Sequence, residues 1–298
     1  MHKALAGSLS LPLCWALASS PVLSARADVA PAAAASPASN ATPAIAPASA
    51  PSAAPAAASP IPIWQGASGG FDISWSTDGI KASASKGARV FSAKEIADVD
   101  FQDFDNCDAT EAWTVLSVVG PLVSVKQEEN ATCAQAAHTS AYTDILTIDL
   151  NQPKKAPSLA DYFSEAELYA ALMGDGIVKK TLAAAGKPTP ETSAGLLALL
   201  ADNSSECDYR FEPATLTHFA FHHVEKGKVA VRVGLPYNCE AARGKLTQLG
   251  LLLPIPASLK DALTAAAAQK QGFLAKDEKT VAKDRTAQFH VSATPAAP

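Results

Sequence analysis

The apolar positions of this chain change period twice. Residues 71–76 (FDISWS) alternate apolar and polar, which predicts a strand with one buried face. Two further runs, 112–119 (AWTVLSVV) and 122–127 (LVSVKQ), flank Gly120-Pro121 and predict a β-hairpin. Residues 141–150 (AYTDILTIDL) predict a longer strand, closed by the turn-forming stretch 151–155 (NQPKK).

The period then lengthens. Ser158-x-x-Asp161 and Ser164-x-x-Glu167 are capping-box patterns, in which the serine and the acid each satisfy a free amide at a helix start. Leu168, Leu172 and Met173 follow at helical spacing. Thr189-Pro190 predicts the start of another helix, with Leu196, Leu197, Leu199 and Leu200 as its apolar side. Strand character returns at 217–224 and 229–235, joined through Glu225–Lys228, and again at 246–255. Ser258-Leu-Lys-Asp261 predicts the N-cap of a last, Ala-rich helix. Strands, then helices, then strands predict an α+β fold: an antiparallel β-sheet with helices packed on one face. There is no repeated βαβ alternation and no glycine-rich nucleotide loop.

The N-terminus adds a compartment. Met1-His2-Lys3 is a short basic start, Ala4 to Ser20 is apolar, and Ala25-Arg26-Ala27 has the small-x-small pattern of a signal-peptidase site. Residues 1–27 are therefore expected to be a cleaved signal peptide, giving a periplasmic or secreted protein that keeps no membrane span. Residues 28–60 are almost entirely Ala, Pro and Ser, with prolines recurring too often for a helix to propagate. They predict a disordered tail, and 293–298 repeat that composition. The folded domain is expected over 61–292, with a boundary near 110 if it divides into two lobes.

Export makes charge and cysteines informative. The 24 Lys+Arg and 29 Asp+Glu give a net charge of −5, and loss of Lys3 and Arg26 leaves 22 against 29, or −7. That balance argues against nucleic acid and anionic membrane surfaces as partners and suits a cationic one. Beyond the signal, four cysteines remain: Cys107, Cys133, Cys207 and Cys239. An even number in an exported chain predicts disulfides. The hairpin around Gly120 sets Cys107 against Cys133 at its open end, which leaves Cys207 with Cys239.

Motifs for catalysis and metal binding are weak. Residues 66–70 (GASGG) match G-x-S-x-G, but a Pro-rich tail precedes them and a strand pattern follows, where a nucleophile elbow needs strand, turn and helix. Ser68 is expected in an entry loop and dispensable. Asp98, Asp100, Asp103, Asp105 and Asp108 crowd one segment without EF-hand spacing. On a regular strand His222 and His223 would face opposite sides, and His218 would lie about 13 Å from His222, too far for one zinc. No cofactor and no metal is expected, and no catalytic residue is identified.

Residues 115–124 (VLSVVGPLVS), Ala136-Ala-His138, residues 147–163 (TIDLNQPKKAPSLADYF) and a late strand–turn–strand element carry a resemblance. That late element comprises 229–235, 237–244 (YNCEAARG) and 251–256 (LLLPIP). Together they resemble the bacterial extracytoplasmic domain that forms the C-terminal part of the RsiV anti-sigma factor and accompanies PdaC-type peptidoglycan deacetylases. The resemblance runs from Val115 to about Leu263. Ala-Ala replaces the family's Gly-Gly before His138, and neither a deacetylase domain nor a sigma-binding segment accompanies it. It implies an exported, non-catalytic envelope protein that binds a cell-wall component or a cationic protein such as lysozyme. His138, Tyr237, Glu240 and Arg243 fall in the matched loops and are the implied partner-binding residues. The competing expectations are a wall-directed hydrolase or esterase and a structural envelope protein.

Overall fold

A computed structural model describes residues 62–76, 79–84, 107–133, 137–204, 210–237, 242, 244–276 and 286–292. The expected signal peptide, the 28–60 tail, Asp98 to Asp105, Cys207, Cys239, Glu240, Arg243 and the 293–298 tail lie outside the described residues.

Three antiparallel sheets carry the fold of the described residues. The first is a meander of β1 (Pro62–Ser68), β2 (Phe71–Ser76) and β3 (Gly79–Ala84). The second is built on the long hairpin of β4 (Cys107–Val119) and β5 (Leu122–Cys133), with β6 (Ser140–Asp149) beside β5. The third contains β7 (Phe219–Glu225), β8 (Lys228–Pro236) and β9 (Leu246–Pro254). Two late strands, β10 (Phe273–Leu274) and β11 (Thr286–Ser292), pair with successive stretches of β4 and complete the second sheet.

Among the described residues, four α-helices lie between and after these strands: α1 (Glu165–Gly174), α2 (Gly176–Ala185), α3 (Ser193–Asn203) and α4 (Lys260–Ala267). Leu168, Leu172, Val178, Leu196 and Leu263 from the four helices share one buried cluster with Val231, Val233 and Leu251 of the third sheet. The fold is therefore α+β, with helices on one face of an antiparallel sheet. A second cluster fills the space between the first two sheets, where Phe71, Ile73 and Trp75 meet Trp113, Val125 and Ile148. Leu116, Ile145 and Ala220 form a small contact between the second and third sheets.

Two irregularities keep these clusters consistent. On β4, Trp113 and Val115 face the first sheet, and Val118 does so as well, although strict alternation would point it away. A register shift between Val115 and Ser117 inserts Leu116 as an extra residue and restores the phase. Leu116 joins the small contact with Ile145 and Ala220. Gly120 and Gly69 adopt positive φ in their hairpin turns, and a Cβ on Gly69 would lie 2.4 Å from the Gly120 carbonyl carbon. The β1–β2 and β4–β5 turns thus touch backbone to backbone.

Local starts and stops follow from capping. Both capping boxes form: Ser158 N donates to Asp161 and Ser164 N to Glu167, each at 2.8 Å. The first opens only a 3-10 turn at Leu159–Asp161, and the second opens α1. The next predicted helix start at Thr189-Pro190 is displaced. Thr192 is the cap of α3, accepting from Gly195 N at 3.1 Å, while Glu165 of α1 accepts from Ser193 N and from Ser193 Oγ. Those hydrogen bonds hold the Glu165 carboxyl below its usual range. Ser258 does not cap α4, because it already lies within a 3-10 turn at Ala257–Leu259. Ser68 ends β1 rather than lying in a loop, and a strand follows its turn where an elbow needs a helix.

Candidate functional site

Two polar constellations involve the third sheet, one on its face and one where the segment before β7 meets β6 of the second sheet. The first is a groove on the face of β7–β9 opposite the helices. Val229, Val231 and Val233 of β8 point into the helix-side cluster, so Ala230 and Arg232 point the other way. On β9, Leu249, Leu251 and Leu253 are buried, whereas Gly250 and Leu252 are exposed. Leu252 is 43% exposed. Small side chains at Ala230 and Gly250 leave a shallow floor, and the open groove above it has a volume of about 640 Å³.

Strand β7 supplies the groove's histidines through a bulge. Phe219 and Phe221 face the helices, but the register then shifts, so that His223 pairs with Ala230 and Val224 with Val229. His222 is the inserted residue. It and His223 therefore line the same groove, with their Nδ1 atoms 2.8 Å apart, rather than facing opposite sides as the regular-strand reading expected.

The segment after β10 fixes the groove's polar groups. Arg232 Nη2 donates to Ala275 O at 3.0 Å, and His222 Nε2 is 3.0 Å from Lys276 O. A carbonyl only accepts, so His222 Nε2 carries the hydrogen and its Nδ1 accepts from His223. Lys276 also lines the groove, and Glu225 is its acidic lining residue, 3.6 Å from His223 Nε2. Burial, then the positive charge of Arg232, depresses the His222 pKa, and His223 and Lys276 add to that effect.

The second constellation joins β6 to the segment before β7. Asp144, 1% exposed, accepts from Ile145 N at 2.7 Å and from Tyr142 Oη at 3.0 Å. His218 Nδ1 lies 2.7 Å from Asp144 Oδ2, an ion-pair contact off the line of a straight hydrogen bond. The other ring nitrogen, Nε2, faces Glu212 at 3.4 Å. Burial alone would lower the His218 pKa, but the close contact with the Asp144 carboxylate and its charge, with Glu212, outweigh it and raise the pKa. Burial and the neighbouring Asp144 raise the Tyr142 pKa strongly. An Asp–His contact is also half of a nucleophilic triad, but here Nε2 meets a carboxylate where a triad requires a hydroxyl. The constellation is suited to tying two sheets together.

Of the residues singled out by resemblance, Glu240 and Arg243 lie outside the described residues, and His138 and Tyr237 belong to neither constellation. His138 is exposed just before β6, and Tyr237 hydrogen-bonds Thr247 at 2.6 Å. Cys133 stands directly opposite Cys107 in the β4–β5 register. Sequence reasoning passed over Arg232, Lys276 and Leu252, because their convergence depends on sheet pairing and on the course of the chain after β10. No family model, curated protein or solved structure matches this chain.

Proposed function

We propose that this protein is an exported, non-catalytic binding protein of the cell envelope, and that the open face of β7–β9 is its binding surface. The observation that carries the reading is the groove: shallow, floored by small residues on regular strands, and rimmed by polar side chains pinned to adjacent carbonyls. Rigid placement lowers the ordering cost of binding. The hydrolase alternative finds less support, since His218 is occupied by two carboxylates and Ser68 lies on a hairpin. Periplasmic or secreted placement rests on residues 1–27, and the resemblance to the RsiV-type domain points to the same compartment. Among the described residues, no helix is long and apolar enough to cross a membrane.

Of the two ligand classes that the sequence raises, the groove offers a wall component the polar side chains of Lys276, His222 and His223 beside exposed Leu252. A cationic protein such as lysozyme would draw on Asp98 to Asp105, which lie outside the described residues. Co-sedimentation with purified cell-wall sacculi, alongside a lysozyme pull-down at low and high salt, separates them. Retention by sacculi supports the wall reading. Salt-sensitive capture of lysozyme without retention by sacculi would replace it.

A further inference from the structure

We propose that Glu111 and Glu129 hold one proton between them in mildly acidic solution, and that its loss loosens the contact between the first and second sheets. This switch lies on the β4–β5 hairpin and does not involve the β7–β9 face.

Both glutamates lie on the side of the hairpin that packs against the first sheet. Trp113, Val115 and Val125 belong to the buried cluster there, and side chains two residues apart on a strand share a face. Glu111 and Glu129 stand directly opposite each other in the β4–β5 register, which sets their Cβ atoms about 4.5–5.5 Å apart. Glu111 is 6% exposed and Glu129 is half-buried. Trp113 Nε1 and Gln127 Nε2 both donate to Glu111 Oε1, the second at 2.6 Å. Those donors favour charge on Glu111. Burial still lifts its pKa above the usual 4.5. Glu129 has no such donors, and burial and then the facing Glu111 charge raise its pKa. Glu129 is therefore the carboxyl that keeps the proton longer.

Among the described residues, no cation faces the pair. Gln127 and Ala131 share its side of β5, while Lys126 pairs with Glu128 at 3.3 Å on the other side. Tyr142 of β6 stands opposite Glu129, and its hydroxyl donates to Asp144, which His218 meets. Strand β11 sets Phe289 opposite Glu111. The first sheet brings Ile73 and Trp75 to this cluster and leaves Asp72 and Lys81 exposed. Trp113 links the carboxyls to that sheet, because its indole donates to Glu111 and stacks on Trp75 with ring centroids 6.5 Å apart. When both carboxylates are ionised, like charges face each other across the ladder, which is destabilising. The folded pKa values lie above the usual 4.5, so the proton's contribution to stability is fully present below about pH 4.5 and lost as pH rises through the folded values.

The test follows the glutamate carboxyl carbons of the purified protein by NMR across a pH series, with urea unfolding and amide exchange on the same samples. Wild type, Glu129→Gln and Glu111→Gln are compared. Glu129 in wild type is expected to titrate above the usual 4.5, with the Trp113 indole signal moving in step. Glu111→Gln should return that titration towards the usual value, since the facing charge is gone. Glu129→Gln mimics the protonated carboxyl. Its urea midpoint should match wild type near about pH 4 and exceed it increasingly as pH rises. His218 titrates in both proteins, so its contribution cancels in the difference. At about pH 8 the amides of β2 and β4 should exchange more slowly in Glu129→Gln than in wild type, and those of the third sheet at the same rate. An ordinary Glu129 titration, or one that Glu111→Gln leaves in place, would overturn the proposal. So would a Glu129→Gln midpoint no higher than wild type at about pH 8, or an exchange difference spread equally over the third sheet. If Glu111→Gln does not fold, the wild-type titration and the Glu129→Gln midpoints decide the matter by themselves.

Discussion

Asp144→Asn is the substitution that interrogates the inter-sheet tie most sharply. It keeps the side-chain shape and removes the charge that three groups face: Ile145 N, Tyr142 Oη and His218 Nδ1. Removing one partner of a buried pair costs about 3–5 kcal/mol. An asparagine oxygen still accepts from Ile145 N, and His218 can shed its proton, so the lower end applies, about 3 kcal/mol. For a domain of this size each kcal/mol is worth about 2–4 °C, so the melting temperature should fall by about 6–12 °C.

The pH dependence carries the sign. The folded-state pKa of His218 is raised above the usual 6.5. Its proton therefore contributes stability that is fully present below about pH 6.5 and lost as pH rises through the folded value. The gap between wild type and Asp144→Asn should be widest near pH 5.5–6 and narrow towards pH 8.5. Urea unfolding at intervals across that range measures it. A gap that is constant with pH, or absent at pH 6, would refute the account of the pair.

Three further outcomes follow from the fold. Peptide mapping should find Cys107 bridged to Cys133, and reducing that bridge should cost about 2–5 kcal/mol; a Cys107–Cys207 or Cys107–Cys239 peptide would refute the pairing. Gly69→Ala should destabilise the protein far more than Gly227→Ala. Both positions have positive φ, but only at Gly69 does the added carbon meet backbone, 2.4 Å away, so Gly227→Ala should cost only about 1–2 kcal/mol in chemical denaturation. Ser68→Ala should leave any esterase activity of the purified protein unchanged, and loss of such activity would restore the elbow that the β1–β2 hairpin argues against.

The alternation and capping signals made the class of this fold legible. The 112–127 hairpin, both capping boxes and the β7–β8 pair appear where their residues predicted. The Cys107–Cys133 opposition followed from counting outward from Gly120. Less legible were β1 and β3, whose short mixed runs carry little periodicity, and α2, which opens on Gly176 and depends on Asp175 accepting from Ile177 N and Val178 N.

The groove was missed because a bulge was read as a regular strand. The signal was present: the apolar phase Phe219, Phe221, Val224 slips by one residue, as Trp113, Val115, Val118 does on β4. Such a slip marks an inserted residue, and it brings His222 beside His223. No local pattern announces that residues 275–276 return to Arg232 and His222, because that contact spans more than 40 residues of chain.

The central claim is that the β7–β9 face binds a component of the cell envelope. The most direct measurement is co-sedimentation of wild type and Gly250→Leu with purified sacculi at matched concentration and salt, after melting curves show both to be folded. The account predicts that wild type pellets with the sacculi and that Gly250→Leu stays in the supernatant. Equal pelleting of the two, or no pelleting of either, would contradict it.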